Sequence, residues 1–244
     1  MEKLSKPSQK DIQSVQSHDV LESLWNQEFA TTYELKNLSE STLKYFSSLN
    51  NRLKKGILLD NGCGTARIKK FFEERGWTCF GSDITREGLK VASRLSPTNL
   101  IYAPAHDLPF KGDFFDAIIF WRVLHNITKK VRKKSVIEAS RVLKKNGILV
   151  CCVQSKEDKD TYSKYKENGI ELDDDPNTFV VNQVVGNKVM PYMKHFYSKN
   201  EIIKELEENT HLEVVRIKII EEKSGFEAVG RKIQKYWIIE AIKQ

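Results

Sequence analysis

Leu59-Asp60-Asn61-Gly62-Cys63-Gly64-Thr65-Ala66-Arg67 is the stretch on which the fold turns. It continues an apolar run that starts at Gly56-Ile57-Leu58, and it leads into Ile68, Phe71 and Phe72 at helical spacing before Gly76. A strand, a glycine turn and a helix in that order mark the carboxyl end of a first strand, where open α/β sheets bind ligands. The glycines let the chain bend sharply and let a ligand come close to the backbone. The free N–H groups of the helix start favour an anionic group.

Outward from this turn the alternation continues. Residues 78–83 read as a second strand, 86–95 as a second helix, 99–103 as a third strand and 116–121 as a fourth. A helix over 135–143 is closed by Asn146-Gly147, and 148–154 read as a fifth strand. Strands alternating with helices imply parallel pairing through right-handed crossovers. Apolar strands without period-two alternation imply a sheet covered on both faces. The expected fold is a three-layer α/β, doubly wound Rossmann-like sheet. Residues 212–220 and 235–242, with no helical period between them, suit an antiparallel pair at one sheet edge.

Upstream, Leu21, Leu24, Trp25 and Phe29, then Leu38, Leu43, Phe46 and Leu49, predict two amphipathic helices, the second capped by Ser39. The polar residues 1–18 read as a mobile tail. Residues 19–244 then form a single domain, with cap helices in 19–55. Residues 156–197, with Asp173-Asp174-Asp175-Pro176 and Gly186-Asn187, read as an irregular insert of the length used for lids and specificity elements.

At 244 residues, 40% apolar and 30% charged, the chain suits one globular domain with decorations. The net charge of +7 permits a nucleic-acid partner without requiring one, because 40 basic residues are interleaved with 33 acidic ones. The densest basic run, Lys129-Lys130 with Arg132-Lys133-Lys134, reads as a solvated helix face. No apolar run approaches the roughly 18 residues of a membrane helix, and no apolar core of a secretory signal is visible at the N-terminus. Cys63, Cys79, Cys151 and Cys152 lack C-x-x-C spacing, which argues against a zinc site or redox pair. Reduced cysteines in an apolar run point to a cytoplasmic setting.

Two carboxylates define the expected ligand. Asp60 stands at the first strand's tip, where it would repel a diphosphate and attract an ammonium. Arg67 occupies the third glycine position of the dinucleotide fingerprint. Asp83 ends the second strand, where a carboxylate accepts hydrogen bonds from ribose hydroxyls. A nucleoside with an amino-acid tail and no phosphates satisfies both: S-adenosyl-L-methionine.

Five blocks in order carry a resemblance. Residues 57–64, Gly81-Ser82-Asp83, His106-Asp107-Leu108-Pro109-Phe110, Phe115-Asp116-Ala117-Ile118-Ile119 and Arg141-Val142-Leu143-Lys144-Lys145-Asn146-Gly147 resemble the class I S-adenosylmethionine-dependent methyltransferases. More loosely, Pro176-Asn177-Thr178-Phe179-Val180, His195-Phe196-Tyr197-Ser198 and Tyr236-Trp237-Ile238-Ile239-Glu240-Ala241 resemble a small-molecule branch known as tellurite-resistance-like. The family resemblance implies that Asp60, Asn61, Gly62, Cys63 and Gly64 hold the methionine part and Asp83 the ribose. Ile84 would pack on adenine, with Ala105 and His106 at its edge. Phe120 and Trp121 would line the sulfonium and substrate side, and Trp25, Phe29 and Tyr33 would form an aromatic cap. The chain departs from the family's pattern at Asn61, Ala66 and Pro104.

Methyl transfer from a sulfonium is an in-line displacement, so the protein has to align the acceptor and exclude water. No nucleophilic side chain and no metal are required. A hydroxyl or amine acceptor needs a base, for which His125, His195 and Tyr197 are the candidates. The expectation is transfer to a small-molecule acceptor held between the N-terminal helices and the insert. The alternatives are a tRNA, another RNA or a protein acceptor, with the basic run of residues 129–134 as a phosphate track, or a degenerate S-adenosylmethionine-binding protein.

Overall fold

The computed structural model describes residues 4–15, 17–31, 37–223 and 233–244. Three helices, α1 (Gln9–Ser14), α2 (His18–Thr31) and α3 (Glu40–Arg52), precede the alternating part. There β1 (Ile57–Asn61), α4 (Arg67–Glu73), β2 (Thr78–Asp83), α5 (Arg86–Leu95) and β3 (Leu100–Tyr102) follow in turn. Next come β4 (Phe115–Trp121), a 3-10 turn (Leu124–Asn126), α6 (Lys129–Val142) and β5 (Leu143–Gln154). The insert holds α7 (Lys159–Asn168), β6 (Ile170–Leu172), β7 (Asp175–Val185) and β8 (Lys188–His195), and α8 (Lys199–Glu207), β9 (Leu212–Lys223) and β10 (Ile233–Lys243) close the sequence.

A seven-stranded sheet runs in the order β3-β2-β1-β4-β5-β10-β9. Pairing is parallel from β3 to β5 and antiparallel for β10 against β5 and β9. The expected edge pair is present, with the later strand, β10, lying inside and β9 outermost. Strand order reverses between β1 and β4, so the glycine turn after β1 stands at the switch point where such sheets open a crevice.

Successive side chains of a strand point to opposite faces, and here both faces are covered. Leu59, Ile118, Phe120, Leu149, Cys151 and Val153 pack with Val136, Ala139, Ile202 and Leu206 of α6 and α8. Leu58, Cys79, Ala117, Ile119, Val150 and Cys152 pack with Tyr45, Phe46 and Leu49 of α3 and with Phe71 and Phe72 of α4. Each large side chain buried this way contributes about 1.5–3 kcal/mol.

Three expectations are corrected. Residues 8–15, read as part of a mobile tail, instead form a docked helix. Ser8 and Asp11 make a capping box, and Ile12 and Val15 are buried against Leu172, Val180 and Met193. The insert is regular: β6, β7 and β8 form a three-stranded antiparallel sheet, turned at Gly186, whose φ is 62°. Leu24 of α2 packs on this small sheet with Phe179, Val185, Tyr192 and Phe196. Finally, the basic run is not wholly a solvated face. It forms the first turns of α6, and Arg132 is buried, its guanidinium bidentate on Asp175 at 2.9 and 2.8 Å.

Candidate active site

The crevice is built on backbone geometry first. Gly62 and Gly64 have φ of 79° and 51°, the left-handed region that favours glycine. The N–H groups of Gly62 and Cys63 both donate to the Ser82 carbonyl, at 2.8 and 3.0 Å. A Cβ on Gly62 would stand 2.3 Å from Val123, and one on Gly64 would stand 2.8 Å from the ring of Phe29. Ala66, the N-cap of α4, has φ of 60°, in the same left-handed region.

Asp83 sits at the tip of β2 and is buried. Its Oδ2 accepts the Gly64 N–H at 2.7 Å, and its Oδ1 accepts the Thr85 N–H at 2.9 Å and hydroxyl at 2.6 Å. Burial raises its pKa, against the opposing pull of these hydrogen bonds. Asp60 is buried too, and its Oδ2 accepts the Lys69 N–H at 3.1 Å. That amide belongs to the first turn of α4, whose N-cap residue offers no side-chain cap. Asp60 therefore anchors the helix start that the turn feeds, and burial pushes its pKa up to about 7.

Asn61 joins three strand ends. Its Oδ1 accepts the Ser82 hydroxyl at 3.0 Å and its Nδ2 donates to the Ala105 carbonyl at 3.3 Å. Cys63, Ile84, Ala105 and His106 lie half-buried around the same rim.

The end of β4 differs from expectation. Phe120 is fully buried in the layer under α6 and α8 and does not line the substrate side. Trp121 turns to the opposite face, where its ring lies 4.6 Å from that of Phe46 and stacks on Tyr45 at 5.7 Å. The side chain from this strand end that meets the glycine turn is Val123. Strand alternation forces this split, because neighbouring residues cannot share a face.

The aromatic cap is formed by α2. Phe29 lies against Gly64 and Gly88, and Trp25 lies 6.4 Å from Phe29 and 5.8 Å from Tyr192. Tyr33, the third expected member, lies outside the described residues.

None of the three base candidates is disposed as a base. His125 is buried, its Nδ1 accepts the Gln154 N–H at 3.1 Å, and burial with nearby cations holds it well below the usual range, so it is neutral. His195 is fully buried with Nδ1 2.7 Å from the Thr178 hydroxyl and Nε2 3.2 Å from Glu201. The Tyr197 hydroxyl donates to Glu205 at 2.7 Å. These last two belong to a buried network around Arg132, which also faces Glu205 at 3.5 Å. The network fastens the insert to α6 and α8.

A second group of residues under α2 was not legible in the sequence. Glu28 of α2 is 1% exposed and Lys194 of β8 is 8% exposed. The Lys194 ammonium lies 5.4 Å from the Tyr192 ring and 5.7 Å from that of Tyr165. Tyr192 donates to Asn126 Oδ1 at 2.7 Å, tying β8 to the turn after β4. Among the described residues no group of three His, Cys, Asp or Glu side chains is placed to hold a metal.

With this geometry in view, residues 59–151 match the protein family described as "Methyltransferase domain". Over that segment the chain is similar to methyltransferase domains, and its fold is the class I methyltransferase fold. S-adenosylmethionine is the cofactor of such a domain. The residues present fit it: two left-handed glycines free of Cβ, a carboxylate at the next strand tip, and no third glycine for a diphosphate. The tRNA (carboxymethyluridine(34)-5-O)-methyltransferase of Arabidopsis thaliana is 34% identical to the domain over 108 residues. That match spans 43% of this chain and only 26% of the plant protein. An S-adenosylmethionine-dependent methyltransferase from Methanosarcina mazei shares the fold with a TM-score of 0.70 at 18% identity, covering 85% of this chain and 99% of its own. The 1,6-didemethyltoxoflavin-N1-methyltransferase of Burkholderia thailandensis, solved with S-adenosylhomocysteine, does so with a TM-score of 0.55 at 16% identity, covering 84% and 77%. Among the described residues no helix is long and apolar enough to cross a membrane.

Proposed function

We propose that this protein transfers the methyl group of S-adenosylmethionine to a small-molecule acceptor seated under α2, between the glycine turn and the insert sheet. The observation that carries it is the roof. α2 reaches from Phe29 on Gly64 to Trp25 on Tyr192, so the space beyond the crevice is covered by aromatic side chains rather than opened as a basic trough. Of the basic run, Arg132 is buried and Lys133 faces Glu208 at 3.6 Å, while Lys129, Lys130 and Lys134 are exposed.

When bound, the cofactor supplies a methyl group on a positively charged sulfur, activated for in-line displacement. Asp83 is the partner for the ribose hydroxyls, the backbone of Gly62 and Gly64 with Asp60 receives the methionine end, and Ile84, Ala105 and His106 border the adenine. Phe29 swings away from Gly64 to admit the ligand and closes behind it, excluding water. The protein's free cysteines support a reducing, cytoplasmic setting.

One observation favours a second reading. The plant relative is named for a modified uridine of tRNA, so an RNA acceptor is the competitor. Incubation with methyl-labelled cofactor and either total tRNA or a low-mass cell extract separates the two. Label in the low-mass fraction is expected. Label in tRNA, falling steeply with added salt, overturns the small-molecule assignment.

A further inference from the structure

One helix start beside the cofactor crevice takes its cap from another helix. α5 begins at Arg86, directly after Asp83-Ile84-Thr85, and the first N–H groups of a helix have no partner within it. A threonine at the N-cap position ordinarily accepts one of them. Thr85 holds that position but gives α5 no side-chain cap. It is buried, and its hydroxyl donates instead to Asp83 Oδ1 at 2.6 Å. The cap comes from α2: Asn26 Oδ1 accepts the Glu87 N–H at 3.0 Å, across 61 residues of sequence.

Asn26 shares a face of α2 with Glu22 and Phe29, because side chains three and four positions apart align on one side of a helix. All three touch the cofactor half of the molecule. Glu22 accepts the Tyr102 hydroxyl from the end of β3 at 2.9 Å, and Phe29 lies against Gly64 and Gly88. Leu24 and Trp25 pack instead with the insert sheet. α2 thus bridges the two halves, and Asn26 ties it to the segment that carries Asp83. Asn26 and Phe29 belong to one turn of the helix, so lifting that turn from Gly64 breaks the Asn26 bond.

We infer that Asn26 is the latch of the roof, a positioning residue that caps α5 only while α2 is seated and so sets how fast cofactor enters and leaves. This rests on the cofactor site proposed above and adds its gate. When α2 lifts, the Glu87 N–H exchanges its protein partner for water, and opening costs what one helix cap contributes. The bond uses no atom assigned to the cofactor, so it holds the roof to the same degree over an empty and an occupied crevice. It therefore slows entry and exit by the same factor and leaves equilibrium affinity alone.

The test measures association and dissociation rates of S-adenosylhomocysteine on the full chain by stopped-flow fluorescence, with affinity from calorimetry. Asn26→Ala is expected to raise both rates by about three- to thirtyfold, the range a helix cap converts to, at unchanged affinity. Asn26→Asp keeps an acceptor oxygen and suits a helix N-terminus, so it should restore the slow rates. Tyr102→Phe removes the exposed Glu22 contact but leaves the cap, and should change the rates far less. A cap with only a structural role would lower the melting temperature and leave both rates alone. Unchanged rates in Asn26→Ala, an effect confined to affinity, or equal acceleration by Tyr102→Phe overturns the latch. Its failure is distinct from failure of the underlying reading. If binding depends on Asp83 but both rates ignore Asn26→Ala, only the latch falls. If Asp83→Ala binds S-adenosylhomocysteine as tightly as the unmodified protein, the cofactor site is misplaced and the latch falls with it.

Discussion

Asp83 holds the glycine turn directly, its Oδ2 accepting the Gly64 N–H at 2.7 Å. The other oxygen is taken by Thr85, so the carboxylate is fixed in place before any ligand arrives. One side chain thus sets the shape of the turn and, in the function proposed above, presents its oxygens to the ribose hydroxyls. A group held in this way loses little freedom on binding, which is the physical content of preorganisation.

Replacing that carboxylate tests the cofactor site. Asp83→Ala should weaken binding of S-adenosylmethionine by about 1.5–3 kcal/mol, the scale of hydrogen bonds to a charged group. Isothermal titration calorimetry reads the change, and a thermal melt shows whether the turn has also loosened. Affinity equal to that of the unmodified protein would move the cofactor away from β2.

Phe29 provides an independent test of how the ligand enters. Its ring occupies the approach to Gly64 and Gly88, so Phe29→Ala should speed association of S-adenosylhomocysteine several-fold in stopped-flow fluorescence. The same variant should transfer methyl groups more slowly, because the roof no longer excludes water. An association rate unchanged by the substitution would mean that α2 does not gate the crevice.

What could be read from the chain, and what could not, follows from the range of the interactions. β2 and α5 have the bounds their local pattern predicts, Thr78–Asp83 and Arg86–Leu95, because periodicity and turn residues act over a few positions. The docking of α1 was hidden because its anchors, Ile12 and Val15, are only two side chains, and their partners lie in the insert. Arg132 looked like one more surface cation. Only the fold brings Asp175, 43 residues away, into its plane. Phe120 and Trp121 were grouped because they are neighbours in sequence, whereas a strand sends them to different layers. Lys194 gave no signal at all, since Tyr165 and Glu28, which surround it, lie far away in sequence.

The Arg132 network predicts stability rather than chemistry. Removing one partner of a buried ion pair leaves the other charge uncompensated, which costs about 3–5 kcal/mol. Arg132→Met should therefore lower the unfolding midpoint strongly. Tyr197→Phe removes a single hydrogen bond to Glu205 and should cost about 1 kcal/mol. Methyl transfer per folded molecule should survive Tyr197→Phe, measured well below its melting temperature. A collapse of kcat in a variant that remains folded would return Tyr197 to the reaction itself.

Glu28 and Lys194 make opposite contributions to stability as pH changes. Burial raises the Glu28 pKa from 4.5 to about 7, so between those values the folded state binds more protons than the unfolded chain. Its contribution is present below pH 4.5 and is lost as pH rises to about 7. Lys194 is lowered from 10.5 to about 8, so between pH 8 and 10.5 the unfolded chain binds more protons and stability rises with pH. Glu28→Gln should then gain on the unmodified protein between pH 5 and 7.5, by on the order of 2–3 kcal/mol at one pKa unit per 1.36 kcal/mol. Lys194→Met should flatten the rise above pH 8. Urea titrations at pH 5, 7.5 and 9.5 read both slopes. Parallel stability profiles for all three proteins would show that these side chains meet water in the folded state.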